Sequence, residues 1–72
     1  MLYEKGNVIM FRYNDKVRSV HITRVRNQSN RPYLITGWDH TANGLVGDYR
    51  SFHTSEITFA KKVGFMPVRT EK

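Results

Sequence analysis

Five short runs of strand-forming residues, separated by turn-forming residues, constrain the fold of this chain more than any other feature. Each run is rich in aliphatic, aromatic and β-branched residues, and no stretch has a helical period. The runs predicted as strands are Val8 to Tyr13, Val17 to Arg26, Tyr33 to Trp38, Tyr49 to His53 and Thr58 to Ala60. Strands this short and closely spaced predict an all-β domain, built as a strongly bent five-stranded sheet or a partly open barrel.

The residues between these runs predict how the strands connect. Asn14 and Asp15 tolerate the backbone angles of a tight hairpin, and residues 27–32 form a polar loop closed by a proline. Val25 is out of phase with Val20 and Ile22, which predicts a bulge or a bend near Thr23. Residues 54–57 predict a tight turn or a single 3₁₀ turn.

Two further features come from single residues and from length. Gly37 within the third strand indicates a bend or a close backbone approach.

With 72 residues the chain predicts one domain over 1–72, with its core in about 7–63 and a flexible C-terminal tail in 64–72. A chain of this length is expected to have a net stability of only about 3–5 kcal/mol.

The balance of charge indicates an anionic partner. Twelve Lys and Arg residues outnumber six Asp and Glu residues, and seven of the twelve are Arg, whose planar guanidinium matches phosphate and carboxylate groups. There is no cysteine, which excludes disulfides and zinc–thiolate clusters and is compatible with a cytoplasmic protein. No apolar run has the length of a membrane span.

Arg50 is the first candidate ligand-binding residue. It shares a strand face with Phe52, and we expect it to lie in an accessible, electropositive hollow and to clamp a phosphate while Tyr33 or Tyr49 stacks on a base. The structural alternative is that Arg50 pairs with Asp39 or Asp48 and fixes the intervening loop.

The second strand supplies the other candidates. Arg18, Arg24 and Arg26 are expected on one face, where they extend a basic groove or, alternatively, are solvated strand charges. The large apolar side chains are expected in the core, namely Phe11, Leu34, Trp38 and Phe52.

No pattern in the sequence predicts catalysis, a metal or a cofactor. His21, His40 and His53 have no metal-ligand spacing, and Ser51 and Ser55 lack the turn that activates a nucleophile. The acidic residues of the 39–48 loop are better explained as turn caps than as acid–base groups. The chain is therefore not expected to be an enzyme.

Several of these segments together resemble the WYL domain. The resemblance rests on Tyr33 and Leu34, on the Gly-Trp-Asp that follows, and on Tyr-Arg-Ser-Phe at 49–52 with a closing Ile57. The segment Ile9 to Tyr13 and the Arg-Ser-Val at 18–20 are similar to the opening hairpin of that family, so the likeness covers about residues 7–60. Pro32 stands in place of the tryptophan that gives the family its name, and His53 and Glu56 replace residues that are often basic.

The resemblance implies a Src-homology-3-like barrel that senses a ligand, reported or proposed in the family to be nucleic acid or a nucleotide. We therefore expect a regulatory module that binds single-stranded DNA or RNA, or a nucleotide-like anion. The alternative is a protein-interaction module, such as an inhibitor of a host protein encoded by a phage or mobile element, in which an open barrel edge or the 27–31 loop contacts an acidic partner.

Overall fold

The computed structural model describes residues 1–41 and 47–68, and its fold is almost entirely β. The elements in chain order are β1 (Asn7–Tyr13), β2 (Lys16–Gln28), β3 (Arg31–Asp39), β4 (Asp48–His53), a 3₁₀ turn (Thr54–Glu56) and β5 (Thr58–Phe65). They form one antiparallel sheet in the order β4-β3-β2-β1-β5, which is not closed into a barrel. The predicted all-β fold with a bent, open five-stranded sheet is confirmed.

Two tight hairpins join the first three strands. Asn14 and Asp15 both have positive φ, which is the backbone of a two-residue turn between paired strands, as predicted. Ser29 and Asn30 adopt the same conformation, so β2 and β3 continue to Gln28 and from Arg31. The prediction of a polar loop over 27–32 was wrong because two residues with left-handed angles are enough to turn the chain.

A bulge in β2 sets which side chains face the core. The pairing of β2 with β3 shifts between Ile22 and Arg24, which confirms the irregularity predicted near Thr23. Because one additional residue moves every later side chain to the other face, Val25 lies opposite buried Ile35 and packs against the core. Arg24, in turn, is placed on the outer face.

The core is a small cluster on the inner face of the bent sheet. Its buried apolar members are Ile9, Phe11, Val20, Ile22, Ile35 and Phe52. The Phe11 and Phe52 rings meet edge to face with their centroids 5.2 Å apart, and the Tyr13 ring meets Phe52 at 5.0 Å. Phe11 and Phe52 are therefore core residues, as expected.

Trp38 was wrongly expected in that core. It lies on the outer face of β3 and is 41% exposed, and Leu34 on the same face is only half-buried. The reason is register, because Ile35, Gly37 and Asp39 occupy the inward positions of β3 and the residues between them must point outward.

Gly37 has no room for a side chain. A Cβ atom there would overlap the carbonyl oxygen of His21 on the adjacent strand and would lie 3.0 Å from the Ile22 Cα. The close backbone approach predicted from the sequence is confirmed, and it falls beside the β2 bulge.

The fifth strand is longer than the sequence predicts. It extends to Phe65, and the Met66 N–H then donates to the Gly6 carbonyl, so residues 64–66 belong to the folded sheet rather than to a flexible tail. Residues 69–72 of the predicted tail lie outside the described residues, as do residues 42–46 of the loop between β3 and β4.

Candidate functional site

An exposed pair of aromatic rings lies on the outer face of β3 and β4. Trp38 and Tyr49 are directly opposite each other in the β3–β4 register, and their ring centroids are 4.8 Å apart with the planes inclined at 60°. Tyr49 is 53% exposed and Trp38 41%, so each ring keeps a large accessible surface. Indole and phenol rings in this arrangement form a platform on which a planar ligand can stack.

The β2 bulge holds the phenol of this platform. The Thr23 hydroxyl donates to the Thr36 carbonyl oxygen at 3.2 Å, and the Tyr49 hydroxyl lies 2.8 Å from the Thr23 Oγ1. Since the single Thr23 hydroxyl proton is used toward Thr36, the Tyr49 phenol donates to Thr23. This hydrogen bond reaches from β4 across β3 to β2, so the ring is held over the sheet.

Two arginines lie on the same outer face. Arg24 is opposite Thr36 and Arg26 is opposite Leu34, and both arginines are exposed. Alternate residues of a strand are about 7 Å apart, so the two guanidinium groups follow each other along β2. Within residues 1–41 and 47–68, no carboxylate lies at ion-pair distance from either of them.

Arg50 lies on the opposite face of the sheet from Tyr49. It pairs with Gly37 across β3 and β4, and its side chain is 49% exposed. The Arg50 Nη2 is 3.4 Å from Asp48 Oδ2, and its Nε is 4.0 Å from Asp39 Oδ2. Two carboxylates thus flank the guanidinium, which corresponds to the structural alternative and not to the expected electropositive hollow.

Arg18 does not belong to a basic face with Arg24 and Arg26. Its side chain is 16% exposed on the inner side of the sheet, where Nη1 donates to Asp39 Oδ2 at 2.6 Å and the guanidinium lies over the Phe52 ring at 5.7 Å. The prediction of one shared arginine face was wrong because the bulge at Thr23 reverses the facing of the later residues.

Asp39 is the carboxylate that makes this inner arrangement possible. It is 1% exposed, and its Oδ1 accepts a 2.9 Å hydrogen bond from the Thr41 N–H. Burial alone would raise the pKa of Asp39, but the hydrogen bonds from Thr41 and Arg18 and the charge of Arg18 lower it below its ordinary value. Asp39 is therefore ionised at neutral pH and neutralises Arg18.

Tyr33 is accessible but distant from the aromatic pair. It is located where the β2–β3 register shifts, between Pro32 and Leu34. Tyr33 and Trp38 are five positions apart along an extended strand, a span of about 17 Å. The structure therefore brings Tyr49, Arg24 and Arg26 onto one face and leaves Tyr33, Arg18 and Arg50 elsewhere.

Trp38 is the residue of this face that the sequence reasoning missed as a site candidate. The alternation of β3 places Trp38 in phase with Thr36 and out of phase with Ile35, but it does not say which of the two faces is buried, so it gave no signal for an exposed indole. His21 lies beside it in the register, and the His21 Nε2–H donates to the Met66 carbonyl at 2.8 Å. The end of β5 is thereby fastened next to the platform.

Within the described residues, two surface grooves lie away from this platform. One of about 330 Å³ lies between the N-terminal segment and the β2–β3 hairpin, and its lining includes Tyr3 and Asn30. The other, of about 180 Å³, lies along β1 and β5 and includes Arg12 and Phe59. None of the six predicted ligand-binding residues lines either groove.

In the part of the chain that is described, no group of three His, Cys, Asp or Glu side chains is placed to hold a metal ion. Nor does any helix there have the length and apolar character needed to cross a bilayer. No family model, curated protein or solved structure matches this chain. The WYL resemblance therefore stays a prediction.

Proposed function

We propose that this protein is a non-enzymatic module that binds single-stranded nucleic acid on the outer face of β2, β3 and β4. The observation that carries the proposal is the exposed Trp38–Tyr49 pair on the same face as Arg24 and Arg26, two cations without a carboxylate at ion-pair distance in the described residues. Aromatic rings beside a basic strand are the usual means by which small β-modules hold single strands.

The platform and the arginines have separate roles in this proposal. Bases stack on the accessible surfaces of Trp38 and Tyr49, while Arg24 and Arg26 pair with phosphates that follow along β2. Two cations about 7 Å apart along a strand fit a chain of phosphates better than one nucleotide. The proposal therefore expects a single strand to bind more tightly than a nucleotide-like anion, which is the smaller ligand used for comparison.

Two features of the sequence support the same proposal. The formal net charge of +6 attracts a polyanion, and the resemblance to the WYL family implies a nucleic-acid or nucleotide ligand. We place this activity in the cytoplasm, which the absence of cysteine fits.

The single tryptophan of the chain provides a direct test, because it is part of the proposed platform. Unlabelled oligothymidylate and oligouridylate are titrated into the protein at about 50 and about 200 mM salt while Trp38 fluorescence is recorded. We expect quenching with micromolar affinity that weakens steeply with salt. A mononucleotide is expected to bind far more weakly, because it offers one base and one phosphate.

Matched variants separate specific contacts from general charge. Arg24→Gln and Arg26→Gln are each expected to weaken binding about three- to tenfold and to reduce the salt dependence. Lys16→Gln removes the same charge from the distant β1–β2 hairpin and is expected to have less than about a twofold effect.

Three results would refute the proposal. The first is that neither oligonucleotide quenches the fluorescence. The second is that Lys16→Gln and Arg24→Gln weaken oligonucleotide binding equally. The third is that Arg50→Gln abolishes binding while Arg24→Gln and Arg26→Gln retain it. The last result would instead favour the anchor role predicted for Arg50 from the sequence.

A further inference from the structure

Among the residues that the structure describes, Phe59 combines an unusual backbone conformation with high exposure. Its φ is +54°, in the left-handed region that bulky residues avoid, and its side chain is 84% exposed. The cause is a bulge in β5, where the pairing with β1 passes from Met10–Lys61 to Arg12–Thr58, so that one residue of β1 faces two of β5. Residues held in such sparsely populated backbone conformations are concentrated at functional sites, so this position is a candidate binding surface.

The ring borders the β1–β5 groove of about 180 Å³. The lining residues are Met10, Phe11, Arg12, Val17, Phe59 and Lys61. Val17 is also exposed, and the Arg12 guanidinium lies 5.9 Å from the centre of the Phe59 ring. The groove is thus apolar along its length and cationic at its borders, and none of its lining residues is acidic.

We propose that this groove binds an acidic segment of a partner protein that carries an apolar side chain. The apolar side chain fits between Phe59 and Val17, and carboxylates on either side pair with Arg12 and Lys61. This surface is separate from the Trp38 platform, and its function is independent of nucleic-acid binding.

The geometry and charge of β5 disfavour two other ways in which a partner could contact this surface. Strand addition to β5 needs a regular edge, but bulges interrupt its pairing at 59–60 and again at Val63. Pairing of β5 with β5 of a second copy about a two-fold axis would bring Lys61 and Lys62 of both copies together, and each copy has a net charge of +6. An acidic partner held by side chains is therefore favoured over a second copy of this chain.

The test uses a fluorescein-labelled peptide of about ten Asp and Glu residues with one central Leu, and a matched peptide with Ser in place of Leu. We expect the Leu peptide to bind with a dissociation constant of about 10–100 µM and the Ser peptide at least about tenfold more weakly. Backbone amide shifts in the ¹⁵N-labelled protein are expected to centre on Met10, Val17 and Phe59.

Phe59→Asn is the decisive variant because Asn tolerates positive φ, so the protein is expected to fold with an unchanged or higher melting temperature. This variant is expected to weaken binding of the Leu peptide at least about tenfold. Val63→Thr, on the same strand but outside the groove, is expected to change binding by less than about twofold. Lys61→Gln should weaken binding and lower its salt dependence.

The proposal is overturned if neither peptide binds at about 1 mM, if both bind equally, or if the shifts centre on Trp38. It is also overturned if folded Phe59→Asn binds like the wild type. A concentration-dependent dimer that Phe59→Asn abolishes would assign the groove to a second copy instead. Weakening of oligothymidylate binding by Phe59→Asn would assign the groove to nucleic acid.

Discussion

The Arg18 guanidinium donates a 2.6 Å hydrogen bond to the Asp39 carboxylate, which is almost fully buried between β2 and β4. The same carboxylate accepts from the Thr41 N–H and lies 4.0 Å from the Arg50 Nε. Arg18 also covers the Phe52 ring, so one ion pair joins the polar end of the inner face to the core. This pair is a structural element, and it removes Arg18 from the set of residues available to a ligand.

Acid is expected to destabilise the protein through Asp39. The pKa of Asp39 is lowered in the folded state, so its contribution is complete above the unfolded value of about 3.9 and is lost as the pH falls through the folded value. Urea denaturation between pH 7 and pH 2 should therefore show a loss of stability that begins near pH 4. In the double variant Arg18→Met with Asp39→Leu, which has no carboxylate at position 39, this part of the loss should be absent.

Removing the Asp39 charge alone should be costly at neutral pH. Asp39→Asn leaves the nearly buried Arg18 without its counter-charge, which typically costs about 3–5 kcal/mol. Because this approaches the whole expected stability, the double variant Arg18→Met with Asp39→Leu serves as the control and should recover part of the loss. If Asp39→Asn alone is as stable as the wild type at pH 7, the pair contributes little.

Gly37→Ala is expected to prevent folding. The added methyl group would overlap the backbone carbonyl of His21. Because residue 37 and His21 lie on paired strands, their backbones cannot move apart without breaking the hydrogen bonds between β2 and β3. We expect a loss of more than about 3 kcal/mol, measured by circular dichroism and thermal denaturation. Gly64→Ala is the matched control, because its nearest contact would be 3.7 Å from the Val8 Cβ, and it should change stability by less than about 1 kcal/mol.

Trp38→Ala is expected to leave the protein folded. The indole is 41% exposed and packs mainly on the Tyr49 ring, so its removal should cost about 1–2 kcal/mol. Ile35→Ala, a neighbouring but fully buried position, should cost about 2–5 kcal/mol. The stabilities of the two variants can be compared from the midpoints of their urea denaturation curves. Equal losses of stability would show that Trp38 contributes like a core residue.

Arg50→Gln is expected to have little effect on stability. Its side chain is half-exposed, and its contacts with Asp48 and Asp39 are long, at 3.4 and 4.0 Å, so solvent screens them and the change should be less than about 1 kcal/mol. Arg18→Gln removes the same charge from the short, shielded pair and should cost clearly more. A larger loss for Arg50→Gln than for Arg18→Gln in thermal denaturation would contradict this ranking.

Tyr49→Phe should test how the platform is held. The variant loses the phenol hydrogen bond to Thr23 but keeps the ring, so we expect a loss of about 0.5–1.5 kcal/mol. Oligonucleotide binding should fall by no more than about threefold, because stacking uses the ring. Tyr49→Ala, which removes the ring, should weaken binding by at least about tenfold. Similar affinities for the two variants would argue against stacking on Tyr49.

Local features of the fold could be predicted from the sequence because they depend on neighbouring residues. The left-handed turn at Asn14 and Asp15, the irregularity near Thr23 and the 3₁₀ turn at 54–56 all follow from residue type or from an interrupted alternation. Gly37 was also informative, since a glycine within a strand indicates a close backbone contact.

The composition of the outer face was decided by the tertiary structure. Alternation assigns residues to two faces of a strand but does not say which face is buried, so Trp38 was expected inside and lies outside. The single residue inserted at Thr23 separated Arg18 from Arg24 and Arg26, and only the pairing with β3 shows where the reversal occurs. The partners of Arg50 and the continuation of β5 to Phe65 likewise depend on contacts between distant parts of the chain. Local geometry is encoded by adjacent residues, whereas the choice of a buried face is made by the whole sheet as it folds around its core.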